Sequence, residues 1–141
     1  MRKLYQFAIA MLCLPSNAGA QKVNISIDAT SNDDIGRQIV MLVRQKVASS
    51  PLMNFVSSNQ YSSIKLKVVT LSGDNDQATE NFGVYTEVLL LHSPKNALDS
   101  YLTSSLGTCG RNKIEQRADS IVADLDQWGD VVRKAGTNAS N

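Results

Sequence analysis

A chain of 141 residues, 43% hydrophobic and 19% charged, has the composition of an ordinary globular protein and the length of one domain. That balance excludes an intrinsically disordered chain. A formal net charge of +1 excludes the strong basic field of a general nucleic-acid binder.

The first twenty residues read as a cleaved signal peptide. Arg2 and Lys3 form a positive start, Leu4 to Leu14 a short apolar run, Pro15-Ser16-Asn17 a helix break, and Ala18-Gly19-Ala20 a small-x-small cleavage pattern. The apolar run is too short for a membrane span, and no later stretch is long enough. Cys13 follows the bulky Leu12, where a lipoprotein signal has a small residue, so the mature chain is read as soluble and starting near Gln21. The expected address is the bacterial periplasm or the medium. Without Arg2 and Lys3, 12 basic residues face 13 acidic ones, and Cys109 is the one cysteine left. The fold must then rest on its core and not on an internal disulfide.

Lys22–Asp28 alternates, with Val23, Ile25 and Ile27 on one face, which predicts a half-buried strand toward a sheet edge. Ala29–Asn32 reads as a turn in which Ser31 or Asn32 caps a helix, with Asp33 and Asp34 in its first turn. Ile35, Ile39, Leu42, Val43 and Val47 form the apolar stripe of that helix, which stops before Pro51. Leu52, Met53, Phe55 and Val56 tuck the connection onto the core. A strand over Ile64–Leu71 completes a β-α-β unit, whose two strands are expected to be parallel. A polar loop, Ser72–Asn81, leads to Phe82–Leu91, the most apolar β-prone run, read here as the central strand. Leu98, Leu102 and Leu106 predict a helix ending at Gly107, and Gly107–Gly110 a tight corner. A longer helix from Asn112 carries the stripe Ile114, Ala118, Ile121, Val122, Leu125 and Val132, weakened by Gly129. The expected fold is thus a small α/β (α+β) domain over residues 21–135. Its order is β-α-β-β-α-α, with about three strands in a mixed sheet, a cap at Gly136 and a disordered tail over 136–141.

Candidate chemistry is sparse. His92 and Cys109 cannot make a zinc site without carboxylates, and no cofactor motif is present. Cys109 has three readings: a nucleophile paired with His92, its thiol eased by Arg111; a small half-buried turn residue; or an intermolecular disulfide partner. Asp74, Asp76 and Glu80 share one loop with an Asp-x-Asp start. The loop lacks the sixth-position glycine and twelfth-position glutamate of a calcium hand, and most such loops are simply solvated. Tyr85 and Trp128 serve either as partner anchors or as core aromatics.

The segment Asp34-Ile35-Gly36-Arg37-Gln38-Ile39-Val40, followed by Ser49-Ser50-Pro51-Leu52-Met53-Asn54-Phe55-Val56, resembles the first helix and exit of small periplasmic α/β modules. These are the N-terminal domain of the Tol–Pal translocation protein and the lipoprotein activators of peptidoglycan synthases. The likeness covers about a quarter of the mature chain. This chain departs from it later by ending in helix. The resemblance implies protein–protein contacts in the cell envelope and no catalysis. The expected function is therefore a non-enzymatic periplasmic or secreted interaction module, meeting a protein partner through a sheet edge or the 72–81 loop. Asp74, Asp76, Glu80, His92, Cys109 and Arg111 are its candidate binding residues. The alternatives are a small secreted enzyme using Cys109 and His92, and a secreted inhibitor or effector.

Overall fold

The computed structural model describes residues 21–57, 60–72, 82–92 and 98–138. The signal segment, the acidic loop with Asp74, Asp76 and Glu80, and the last three residues lie outside them. The elements run β1 (Val23–Ser31), α1 (Asp34–Ser49), β2 (Met53–Val56), β3 (Ile64–Ser72), β4 (Phe82–His92), β5 (Asp99–Gly110), a 3-10 turn (Arg111–Lys113) and α2 (Ile114–Asn138). They build one mixed sheet of order β2-β1-β3-β4-β5 with two helices against it. The α/β class is as expected, with five strands in place of about three.

The β-α-β expectation holds: β1 pairs parallel with β3, Ile25 beside Ile64 and Ser31 beside Thr70. It is also incomplete. Met53–Val56, read as a tucked connection, is a strand parallel to β1 on its other side. This gives β1 a strand on both sides and leaves it one place from the edge of the sheet. Ser26 is buried as well as Ile25 and Ile27, because the segment after β2 crosses the opposite face of β1 there. Ser26 Oγ donates to Ser62 Oγ at 2.9 Å, and the Ser63 amide donates to the Asn24 carbonyl at 2.9 Å. β1 also runs through the expected turn at 29–31, so the helix cap falls later. Asp33, not Ser31 or Asn32, caps α1 by accepting the Gly36 amide at 2.6 Å.

The largest correction concerns Leu98, Leu102 and Leu106. Their i, i+4 spacing suggests a helix, yet Asp99–Gly110 is a strand paired antiparallel to β4. Between the leucines stand Thr103, Ser104 and Ser105, and then Gly107 and Thr108, residues with little helix preference. No leucine stripe is buried: Leu98 and Leu106 are exposed, and only Leu102 reaches the core, at a register irregularity opposite Leu89 and Leu90. Gly107 does not stop a helix. It lies inside β5 opposite Tyr85, where a Cβ would fall 2.7 Å from the Tyr85 hydroxyl. With β5 present, the middle strand is β3, and β4 lies one place from the edge. Among the described residues its apolar run has firm cover on one face only.

Both helices supply that cover. Ile35, Ile39, Val43 and Val47 of α1 and Ile114, Ala118, Ile121 and Leu125 of α2 meet Ile25, Ile64, Leu66, Val68, Tyr85 and Leu89 in one core. Each large aliphatic side chain so buried contributes about 1.5–3 kcal/mol. Gly129 sits on the buried side of α2, where its bare backbone lies near Val23. The helix continues past Gly136, so that glycine is not its cap. Among the described residues, no helix is long and apolar enough to cross a membrane.

Candidate functional site

Cys109 and His92, paired as nucleophile and base in one reading of the sequence, lie at opposite ends of the β4–β5 hairpin. Cys109 is in register with Gly83, and His92 with Asp99. The nine positions from Gly83 to His92 correspond to about 30 Å of strand. No side-chain motion closes that gap, so the pair cannot act together. Cys109 is also 3% exposed, and burial pushes its thiol up from 9.0, which disfavours the thiolate that nucleophilic chemistry requires. Rather than turning a glycine corner, it ends β5 and forms one wall of a cavity of about 180 Å³. Thr108, Lys113, Gln116, Arg117 and Ser120 line the rest. Exchange with a thiol of another chain requires this strand end to open. Arg111 lies just beyond, holding Asp34 of α1 at 3.1 Å.

His92 belongs to a different group. Its Nδ1 lies 2.6 Å from Asp99 Oδ1, Lys65 Nζ reaches the same carboxylate at 3.1 Å, and the Tyr61 ring tilts against the imidazole at 5.7 Å. The cluster joins the start of β3, the end of β4 and the start of β5. The His92 hydrogen bond, aided by Lys65, holds the Asp99 carboxyl below its usual 3.8. It orients an imidazole but brings no cysteine or second histidine to it. No group of three or more metal-ligating side chains occurs among the described residues.

Sequence reasoning missed a second polar group, under α2. Glu87 points into the helix-covered side of β4, in phase with Tyr85 and Leu89, and is 3% exposed. Arg117 of α2 meets it at 2.6 Å, lies 4.0 Å above the Tyr85 ring, and donates to Ser105 Oγ at 3.3 Å. Burial raises the Glu87 carboxyl above 4.5, and Arg117 opposes the shift without cancelling it. Glu87 Oε2 and Arg117 Nε are buried without a hydrogen-bond partner. The signal was present in the sequence: Glu87 is the one charge in the run Phe82–Leu91, on the parity of the inward residues. Tyr85 is accordingly a core aromatic, and Trp128 packs partly buried against the same core.

The other face of β3, β4 and β5 carries the exposed apolar surface. The strand register sets Leu71 beside Val84 and Thr108, Val69 beside Thr86 and Leu106, and Lys67 beside Val88 and Ser104. Leu71 is 54% exposed and Leu106 76%, with Phe82 partly exposed next to them. Single exposed leucines are ordinary, but a contiguous apolar patch rimmed by charge is the usual form of an interaction surface. Among the described residues no element covers this patch, whereas the segment over Ser26 covers the corresponding part of β1.

No protein-family model matches the chain, and no curated protein does. Solved structures do share its fold. A hypothetical protein of Chlamydia trachomatis superposes with a TM-score of 0.52 at 7% identity, covering 78% of this chain and 99% of that one. TolB of Acinetobacter baumannii gives 0.50 at 16% identity over 78% of this chain, which spans only 29% of TolB. A DUF330-family protein of Xanthomonas campestris gives 0.49 at 13% identity over 90% and 92% of the two chains. At these identities the likeness to the first two is one of fold alone.

Proposed function

We propose that this protein is a non-enzymatic interaction module of the bacterial cell envelope, working in the periplasm or outside the cell. Its partner is a protein segment with an apolar stripe and an acidic rim. The observation that carries the reading is the open face of β3–β5, where Leu71, Val69, Phe82, Val84 and Leu106 form a patch bordered by exposed Lys67. The apolar rows supply the area, and Lys67 favours a partner with negative charge at the matching edge. The signal-like first twenty residues support the address. The fold shared with part of TolB is consistent with that address. The roughly 30 Å of strand between Cys109 and His92 weighs against the thiol-enzyme alternative.

Site-specific photocrosslinking in intact cells tests this. A crosslinking residue at Val69 or Leu71 is expected to give one discrete protein adduct that the same residue at exposed Met41 on α1 does not give. Lys67→Glu is expected to weaken that adduct. Equal, diffuse labelling at all three positions would remove the reading.

A further inference from the structure

We propose that β5 pairs antiparallel with β5 of a second copy of this chain, joining two five-stranded sheets into one continuous sheet. This goes beyond the preceding reading and uses the strand edge, where Leu106 is the one residue shared with the open-face patch.

The two edges of the sheet are built differently. β2 has four residues, follows Pro51, and is tied down at its start, where the Arg133 guanidinium donates to the Leu52 carbonyl at 3.2 Å. β5 has twelve residues and is last in the strand order, with β4 as its one strand neighbour among the described residues. Proteins normally blunt such an edge with lysine, proline or inward charge, because its unpaired amides and carbonyls template another strand. From Ser100 to Gly110, β5 has no charge and no proline. The one irregularity in its pairing lies at Leu89/Leu90, near its start, and leaves Thr103–Gly110 regular. Its side chains there are Thr103, Ser104, Ser105, Leu106, Thr108 and the buried Cys109, and hydroxyl pairs across antiparallel strands are favourable.

The charges at the ends of β5 argue for a second copy as occupant. Asp99 opens the strand, and Arg111 and Lys113 follow directly after its last residue. An antiparallel pairing of two identical strands lays each Asp99 end beside the other's Arg111–Lys113 end. Each Asp99, held within its own copy by His92 and Lys65, then faces the other copy's Arg111 and Lys113, of which Arg111 also holds Asp34, while the uncharged middle meets itself without repulsion. A parallel pairing would instead set like ends together. The antiparallel arrangement also carries the row Val69–Thr86–Leu106 across the two-fold axis and covers the flank of Leu106.

Sedimentation velocity over a concentration series, on the chain from Gln21, is the test. The wild type is expected to show a reversible monomer–dimer equilibrium, and Leu106→Lys to raise the dissociation constant about tenfold or more with an unchanged circular-dichroism spectrum and, at concentrations where both are monomeric, an unchanged melting temperature. Single cysteines at 103, 104, 105, 106 and 108, leaving out 107 where Tyr85 leaves no room for a side chain, should in a Cys109→Ser background crosslink between copies with one maximum, at the position nearest the two-fold axis. A wild type that stays monomeric throughout, whether or not it captures an extended peptide, would overturn the proposal. So would a dimer indifferent to Leu106→Lys that shows no such maximum. Neither result touches the photocrosslinking expected at Val69 and Leu71, so the two readings fail separately.

Discussion

Glu87 and Arg117 meet at 2.6 Å between β4 and α2, a charged pair set into a largely apolar layer. The arginine also stacks on Tyr85 and reaches Ser105, so one side chain fixes the roll of α2 over β4 and β5. Removing one partner of such a pair costs far more than the pair contributes, because the other charge stays buried. Arg117→Met is therefore expected to destabilise the fold by about 3 kcal/mol at neutral pH, and Glu87→Gln added to it should restore most of that. Urea unfolding of the two single variants and the double variant measures the coupling.

The same pair predicts a pH dependence. The folded-state carboxyl of Glu87 is raised above 4.5, so the folded chain holds its proton more tightly than the unfolded chain does. Stability contributed by Glu87 is therefore greatest in acid and falls as pH rises from 4.5 through the raised value. Subtracting the profile of Glu87→Gln isolates this group from the carboxylates that shift the other way. Wild-type stability relative to the variant should decline over that window and then level off. A difference that rises with pH would show that attraction to Arg117 outweighs burial.

Gly107 is expected to be intolerant of alanine for a reason specific to Tyr85. An added Cβ would lie 2.7 Å from the hydroxyl oxygen, with the ring carbons at 3.1 and 3.3 Å. Gly107→Ala should cost about 1–3 kcal/mol by overpacking, and Tyr85→Phe should recover part of it by removing the nearest atom. A double-mutant cycle in thermal unfolding would show a favourable coupling between the two substitutions. Additive effects would place the strain elsewhere.

Gly36 shows why part of the fold was legible in the sequence and part was not. The stripe Ile35, Ile39, Val43, Val47 is local, and it located α1 correctly. What Gly36 touches is not local. A Cβ there would fall 1.8 Å from Thr70 Oγ1 on β3 and 2.5 Å from Ser31 Oγ on β1. Gly36→Ala should thus destabilise by several kcal/mol although alanine is the better helix former, and circular-dichroism melting would detect it. The β5 segment failed for the same physical reason. Three leucines at helical spacing outweighed the intervening Ser, Thr and Gly residues, while the pairing partner that decides the outcome, β4, lies across a loop. The candidate site followed suit. His92 stands out in the sequence, but its partner Asp99 falls within the Leu98–Leu106 segment expected to be helical. Glu87 was passed over as one polar residue in an apolar run.

The Asp99 cluster gives a final prediction. Its carboxyl is held below 3.8, first by the hydrogen bond from His92 and then by Lys65, so its contribution to stability is present above 3.8 and lost as pH falls through the lowered value. His92→Ala removes the leading cause. The Asp99 carboxyl should then titrate closer to 3.8, and the shift should exceed that produced by Lys65→Met. Carbon-13 NMR of the side-chain carboxyl over an acid titration reads this directly. If Lys65→Met moves the resonance further, the ammonium charge, not the imidazole hydrogen bond, organises the junction of β3, β4 and β5. Tyr61→Ala is expected to leave the titration nearly unchanged, since its ring touches the imidazole and not the carboxylate.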